Sequence, residues 1–114
     1  MSISFEGIGQ WAATFTCADV QEGDLVKISG NGEVTVCAAG DKFCGQVVSL
    51  GRGGDACSVQ LGGFITAGYT GTAPAPGYAG LSADGSGGVQ ADAAGRTYLV
   101  ADVDTGANTV TFAL

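Results

Sequence analysis

The sequence predicts an all-β fold: a small single-domain β-barrel or β-sandwich of short antiparallel strands, preceded by an extended N-terminal arm. Three observations carry that prediction. Val, Ile and Thr together number 25 against six Leu, and β-branched residues suit pleated, half-buried strands better than helices. Gly supplies 21 of 114 residues without a collagen-like period, so turns recur at short intervals. No window carries a convincing helical period, whereas period-two alternation returns along the whole chain.

The elements follow in order. Ile3 and Phe5 alternate with polar neighbours, and Gly7, Gly9 and Gln10 then loosen the chain, so residues 1–10 read as an arm. Residues 11–114 read as one β domain. Trp11 to Cys17 alternates as a half-buried strand. Val26 and Ile28, then Val34 and Val36, flank Asn31-Gly32, a strong short hairpin signal because both residues tolerate positive φ. Phe43 to Leu50 is apolar on both faces near Val47-Val48. Gly51 to Asp55 turns into an alternating run, Cys57-Val59-Leu61. Gly62-Gly63 marks a bulge or a close backbone approach. Phe64 to Ala67 is a further strand, and Gly68 to Gly80 reads as a loop holding Tyr69, Pro74, Pro76 and Tyr78. A short run at Leu81 and a turn over Asp84 to Gly88 precede Val89. Thr97 to Val103 and Thr109 to Leu114 close as a hairpin. Nine or ten strands result, without an exact internal repeat. Val26, Ile28, Val34, Val36, Val59, Leu61, Val110 and Phe112 are expected to point inward.

Composition narrows the function classes. Eleven acids against four bases leave a net charge of −7, which disfavours a nucleic-acid binder. His is absent, so Ser-His-Asp and Cys-His catalysis and His-ligated metal sites are removed. Neither a secretory signal nor a membrane span is expected: the amino terminus lacks a basic region followed by an apolar one, and the longest uncharged stretch is broken by Gly and Pro. Cys17, Cys37, Cys44 and Cys57 lack CxxC spacing and are read as reduced, buried small side chains. Gly51-Arg52-Gly53-Gly54-Asp55-Ala56 superficially fits a dinucleotide-binding turn, but a strand and not a helix follows it. Ser82 to Gly88 has one carboxylate, too few for calcium. The pairs Asp102/Asp104 and Glu22/Asp24 fit surface charge better than acid–base chemistry. No catalytic residue, cofactor or metal is therefore expected.

Two strands lack a polar face: Tyr98-Leu99-Val100-Ala101 and the Val47-Val48 region. One core cannot bury both faces, so a second packing surface is implied, from another copy or a large partner.

Four segments carry a resemblance: Gly23 to Val26, Gly45 to Leu50, Val59 to Gly62 and Val110 to Leu114. Over roughly residues 20 to 114 the chain resembles the small capsid decoration, or cement, proteins of tailed bacteriophages and prophages. That resemblance implies a non-enzymatic protein made in the bacterial host cytoplasm. It would bind the outer face of an assembled shell of major capsid protein, as a homotrimer, and so end in the virion. Ile3, Phe5, Ile8, Tyr69, Pro74, Pro76, Tyr78, Tyr98 and Val100 are the expected shell or subunit contacts, with the arm adding a strand to a neighbour. The rival reading is a small ligand- or carbohydrate-binding β-module stacking sugars on Trp11, Tyr69 and Tyr78.

Overall fold

The computed structural model describes residues 9–114. Alternation and turn glycines divide them into ten strands. The first five are β1 (Trp11–Cys17), β2 (Leu25–Gly30), β3 (Glu33–Val36), β4 (Gly45–Leu50) and β5 (Ala56–Gly62). The second five are β6 (Phe64–Thr70), β7 (Gly77–Ala83), β8 (Val89–Ala91), β9 (Arg96–Asp104) and β10 (Thr109–Ala113). They do not form one barrel or sandwich. They close into two five-stranded barrels, ordered β1-β3-β2-β4-β5 and β10-β6-β8-β7-β9.

The second barrel repeats the first. In each, the first and third strands pair in parallel through two residue pairs, Thr16 and Cys17 with Glu33 and Val34, then Tyr69 and Thr70 with Val89 and Gln90. Every other neighbouring pair is antiparallel. Each fourth strand carries one extra residue at the same place. Val48 is passed over between Val47 and Ser49, and Ala101 between Val100 and Asp102. Following the registers around, Cys17 corresponds to Tyr69, Val34 to Val89, Val47 to Val100 and Val59 to Phe112. The side chains themselves differ, so no repeat is visible in the sequence. Barrel 1 fills its interior with Phe15, Cys17 and Val59, and barrel 2 with Ala67, Tyr69 and Phe112 at the same positions. Total volume and alternation are what a core demands, not residue identity.

The hairpin at Asn31-Gly32 forms. Only Gly32 takes positive φ, +67°, while Asn31 stays at negative φ, and the ladder shifts between Ile28 and Gly30. Ile28 and Val36 depart from expectation and are exposed. The β2–β3 hairpin runs past the barrel end: β4 reaches β2 only at Leu25 and Val26, and β1 reaches β3 only at Glu33 and Val34. Val26, Val34, Val59, Val110 and Phe112 are buried as expected, and Leu61 is half-buried.

Two cores result, and barrel 1 helps to build the second. Leu25, Cys37 and Phe43 join the core of barrel 2. The β3–β4 connection, residues 37–44, reaches across. Gly40 N–H donates to Ala83 O (2.8 Å), and Ala83 N–H donates to Asp41 O (3.0 Å). Phe43 stacks on Tyr98 with centroids 5.0 Å apart and meets Phe112 edge-on at 5.8 Å. The Tyr98 hydroxyl donates to Phe43 O at 3.4 Å. Lys27 steadies the connection through a 2.6 Å ion pair with Asp41.

Candidate docking face

The outer walls of the barrels are rows of side chains read across the registers. In barrel 1 one row runs Leu25, Gln46, Gln60, Ala12 over β2, β4, β5 and β1. This wall holds barrel 2. Leu25 is buried in the second core. Gln46 Nε2 donates to Thr66 O (3.0 Å) and Gly23 O (3.3 Å). Gln60 Nε2 donates to Phe64 O (3.0 Å) and Gly62 O (2.9 Å), and its Oε1 accepts from Gln10 Nε2 (3.1 Å). A glutamine can stay buried here because both ends of its amide find partners.

The corresponding row of barrel 2 runs Tyr78, Leu99, Ala113, Phe64 over β7, β9, β10 and β6. It has no amide or charge. Tyr78 is 79% exposed and Leu99 38%. Ala101, the extra residue of β9, is also exposed. Thr66 and Thr111 border the row, their hydroxyls 2.7 Å apart. A sheet face of this composition releases ordered water when covered, which favours a protein partner.

The expected contact residues divide accordingly. Tyr78 and Pro76 are exposed. Tyr69, Tyr98, Val100 and Pro74 are buried, and the first three belong to the barrel 2 core, so none of these four can face a partner. The cause is a misjudged boundary: β6 runs on to Thr70 and β7 starts at Gly77, so the loop shrinks to residues 71–76. Period-two alternation then turns Tyr69 inward and Tyr78 outward. Ile3, Phe5 and Ile8 lie outside the described residues. Leu99 joins Tyr78 on this exposed face; their pairing across β7 and β9 is a register fact that spacing alone does not reveal.

Five of the acids build turns and connections. Asp84 accepts from Ser86 N–H (2.7 Å) and Gly88 N–H (3.0 Å). Asp104 accepts from Gly106 and Ala107 N–H, and Asp24 from Gln21 N–H. Asp92 accepts from Ser82 Oγ (2.8 Å) and Ala94 N–H (2.9 Å), and these bonds hold its carboxyl below the usual range. The Lys27 ammonium, with Ala38 N–H, does the same for Asp41. Carboxylates committed to backbone donors in this way are poor general acids at neutral pH.

All four cysteines are free thiols, with Cys17, Cys37 and Cys57 buried and Cys44 half-buried. Burial pushes the Cys37 thiol up to about 11, and burial together with the adjacent Cys17 does the same for Cys57. Among the described residues, no group of three or more Cys, Asp or Glu gathers as a metal site. One open cleft of about 330 Å³ is lined by Gln10, Trp11, Ala12, Val48 and Gln60. The Trp11 indole lies directly over Gly62, where a Cβ would collide with it. That is the close approach the paired glycines foretold. No protein-family model matches the chain, and no curated protein is significantly similar to it.

Proposed function

We propose that this chain is a non-enzymatic capsid decoration protein that docks on the outside of an assembled phage shell and stabilises it, as a trimer. The observation that carries the reading is the uncovered apolar wall of barrel 2, Tyr78 with Leu99, on a rigid closed sheet. A wall of this kind suits a broad protein surface better than a small ligand, which favours a concave pocket. The resemblance at Gly23 to Val26, Gly45 to Leu50, Val59 to Gly62 and Val110 to Leu114 supplies the partner class. Three of these segments lie on or beside β2, β4 and β5 of barrel 1 and the fourth on β10 of barrel 2. Closed barrels also resist shear between neighbouring shell subunits, because every strand is hydrogen-bonded on both sides over part of its length.

Sedimentation of purified shells tests the reading. The protein should pellet with shells at a fixed ratio, and Tyr78→Ser with Leu99→Lys should weaken that binding at least about tenfold. The rival carbohydrate-binding reading rests on the exposed Trp11 beside its cleft. It is favoured if glycans bind in a Trp11-dependent way while shells are ignored.

A further inference from the structure

The two barrels of one chain are joined wall to edge. The wall is the row Leu25–Gln46–Gln60 of barrel 1. The edge belongs to β6, whose carbonyls at Phe64 and Thr66 accept the two glutamines. That edge is available because β6 meets β8 only at Tyr69 and Thr70. The duplicated topology gives each barrel both halves of this joint. Barrel 2 has the corresponding wall, Tyr78–Leu99–Ala113. Barrel 1 has the corresponding edge: β1 meets β3 only at Thr16 and Cys17. Thr16 N–H donates to Gly32 O on that side. By strand alternation the N–H and C=O groups of Ala12 and Thr14 face the same way, with no ladder partner there among the described residues.

Among the described residues, each chain therefore leaves Tyr78 and Leu99 of one wall exposed and the Ala12–Thr14 stretch of one edge without a ladder partner on that side. We infer that copies of this chain associate head to tail, the barrel 2 wall of one copy seating on the β1 edge of the next. Tyr78 takes the place that Leu25 takes in the internal joint. Ile28 is exposed and, counted across β3 and β8, matches Ala83, which exchanges backbone bonds with Gly40 and Asp41 in the internal joint; β7 runs two residues longer than β2 between its two ladders, so this match is shifted from that of Leu25 with Tyr78.

The contact between copies is looser than the internal one. Leu99 and Ala113 stand where Gln46 and Gln60 stand, so the two side-chain bonds to the edge carbonyls are lost. The β8–β9 connection, residues 92–95, is shorter than residues 37–44 and has no counterpart of Phe43. Association is thus apolar and reversible, and it grows with concentration by mass action. A wall that meets an edge makes a heterologous contact, which closes into a ring when its rotation permits. A ring of three copies would be a circuit of alternating barrels. This inference deepens the trimer part of the function proposed above and rests on it: in a closed ring the wall is covered by the next copy, so it serves shell binding by holding the trimer together and does not itself touch the shell.

Mass in solution tests the joint, by light scattering from about 10 µM to about 1 mM. The wall variant is Tyr78→Ser with Leu99→Lys, and the edge variant is Ile28→Lys. Lysine lowers the net negative charge, so lost association cannot be blamed on added repulsion. All three positions are exposed, far-UV circular dichroism checks the fold, and Leu99→Thr replaces the double variant should that one misfold. The wild-type mass should rise with concentration, and each variant alone should stay monomeric. An equimolar mixture of the two variants should form a dimer and nothing larger, because it contains one intact wall and one intact edge per pair. A wild-type protein monomeric throughout overturns the joint. So does an edge variant that self-associates like wild type, which would mean wall-to-wall pairing. Shell sedimentation of the same samples separates the two readings. Head-to-tail association without shell binding keeps the joint and sinks decoration; shell binding by a permanent monomer does the reverse.

Discussion

At the scale of single residues, the account depends on a few places where no other side chain fits. Gly45 is one: a Cβ there would run into Gln60 O and Val59 Cγ1, and both lie on a central strand that cannot retreat. Gly45→Ala should cost about 1–3 kcal/mol by overpacking, read as a lower midpoint in urea. The cysteines give a pH-dependent prediction. Cys37 and Cys57, with thiols pushed up to about 11, favour the neutral form when folded. Their contribution is complete below the ordinary thiol value of 9.0 and is lost as pH rises through about 11. Asp41 and Asp92 act with the opposite sign. Their lowered values contribute stability above the ordinary carboxylate range, and it fades as pH falls through the folded values. Unfolding midpoints measured across pH should therefore form a plateau with losses at both ends. Thiol titration should find all four cysteines reactive in denaturant and only the half-buried Cys44 readily reactive in the native protein.

At the scale of elements, Phe43 is the plug that ties barrel 1 to the core of barrel 2. It is buried between Tyr98 and Phe112 although it comes from the β3–β4 connection. Phe43→Ala should cost about 3–5 kcal/mol and split a single unfolding transition into two, detected by hydrogen exchange on β2–β5 and β7–β10 separately. Much at this scale could be read from residue order. Trp11 to Cys17, the Asn31-Gly32 turn, the turn at Gly51 to Asp55 and the final hairpin all fall where alternation and turn chemistry put them. The doubly apolar strands were also readable: Leu99 and Val48 do face outward. What alternation could not give is pairing. Whether ten strands close once or twice depends on which distant strands meet, and the parallel β1–β3 contact rests on two residue pairs. Tyr69 was misplaced because Gly68 resembles a turn residue, yet it sits inside β6 opposite Thr109. Tyr98 and Val100 were misassigned because an apolar strand does not announce which of its two faces looks inward.

At the scale of the whole molecule, duplication explains the surface. Barrel 1 uses its wall to hold barrel 2; in the corresponding wall of barrel 2, Tyr78 and Leu99 stand exposed. The molecule carries a net charge of −7, but the wall itself is uncharged, which lets copies approach at moderate salt. The measurement that bears most directly on the account is an image reconstruction of phage shells incubated with the protein. The account predicts ordered density for paired barrels on the outer shell surface, in rings of copies about the three-fold positions, with Tyr78 and Leu99 at a protein contact. Shells that remain bare at saturating protein, or density in which that wall faces solvent, would contradict it.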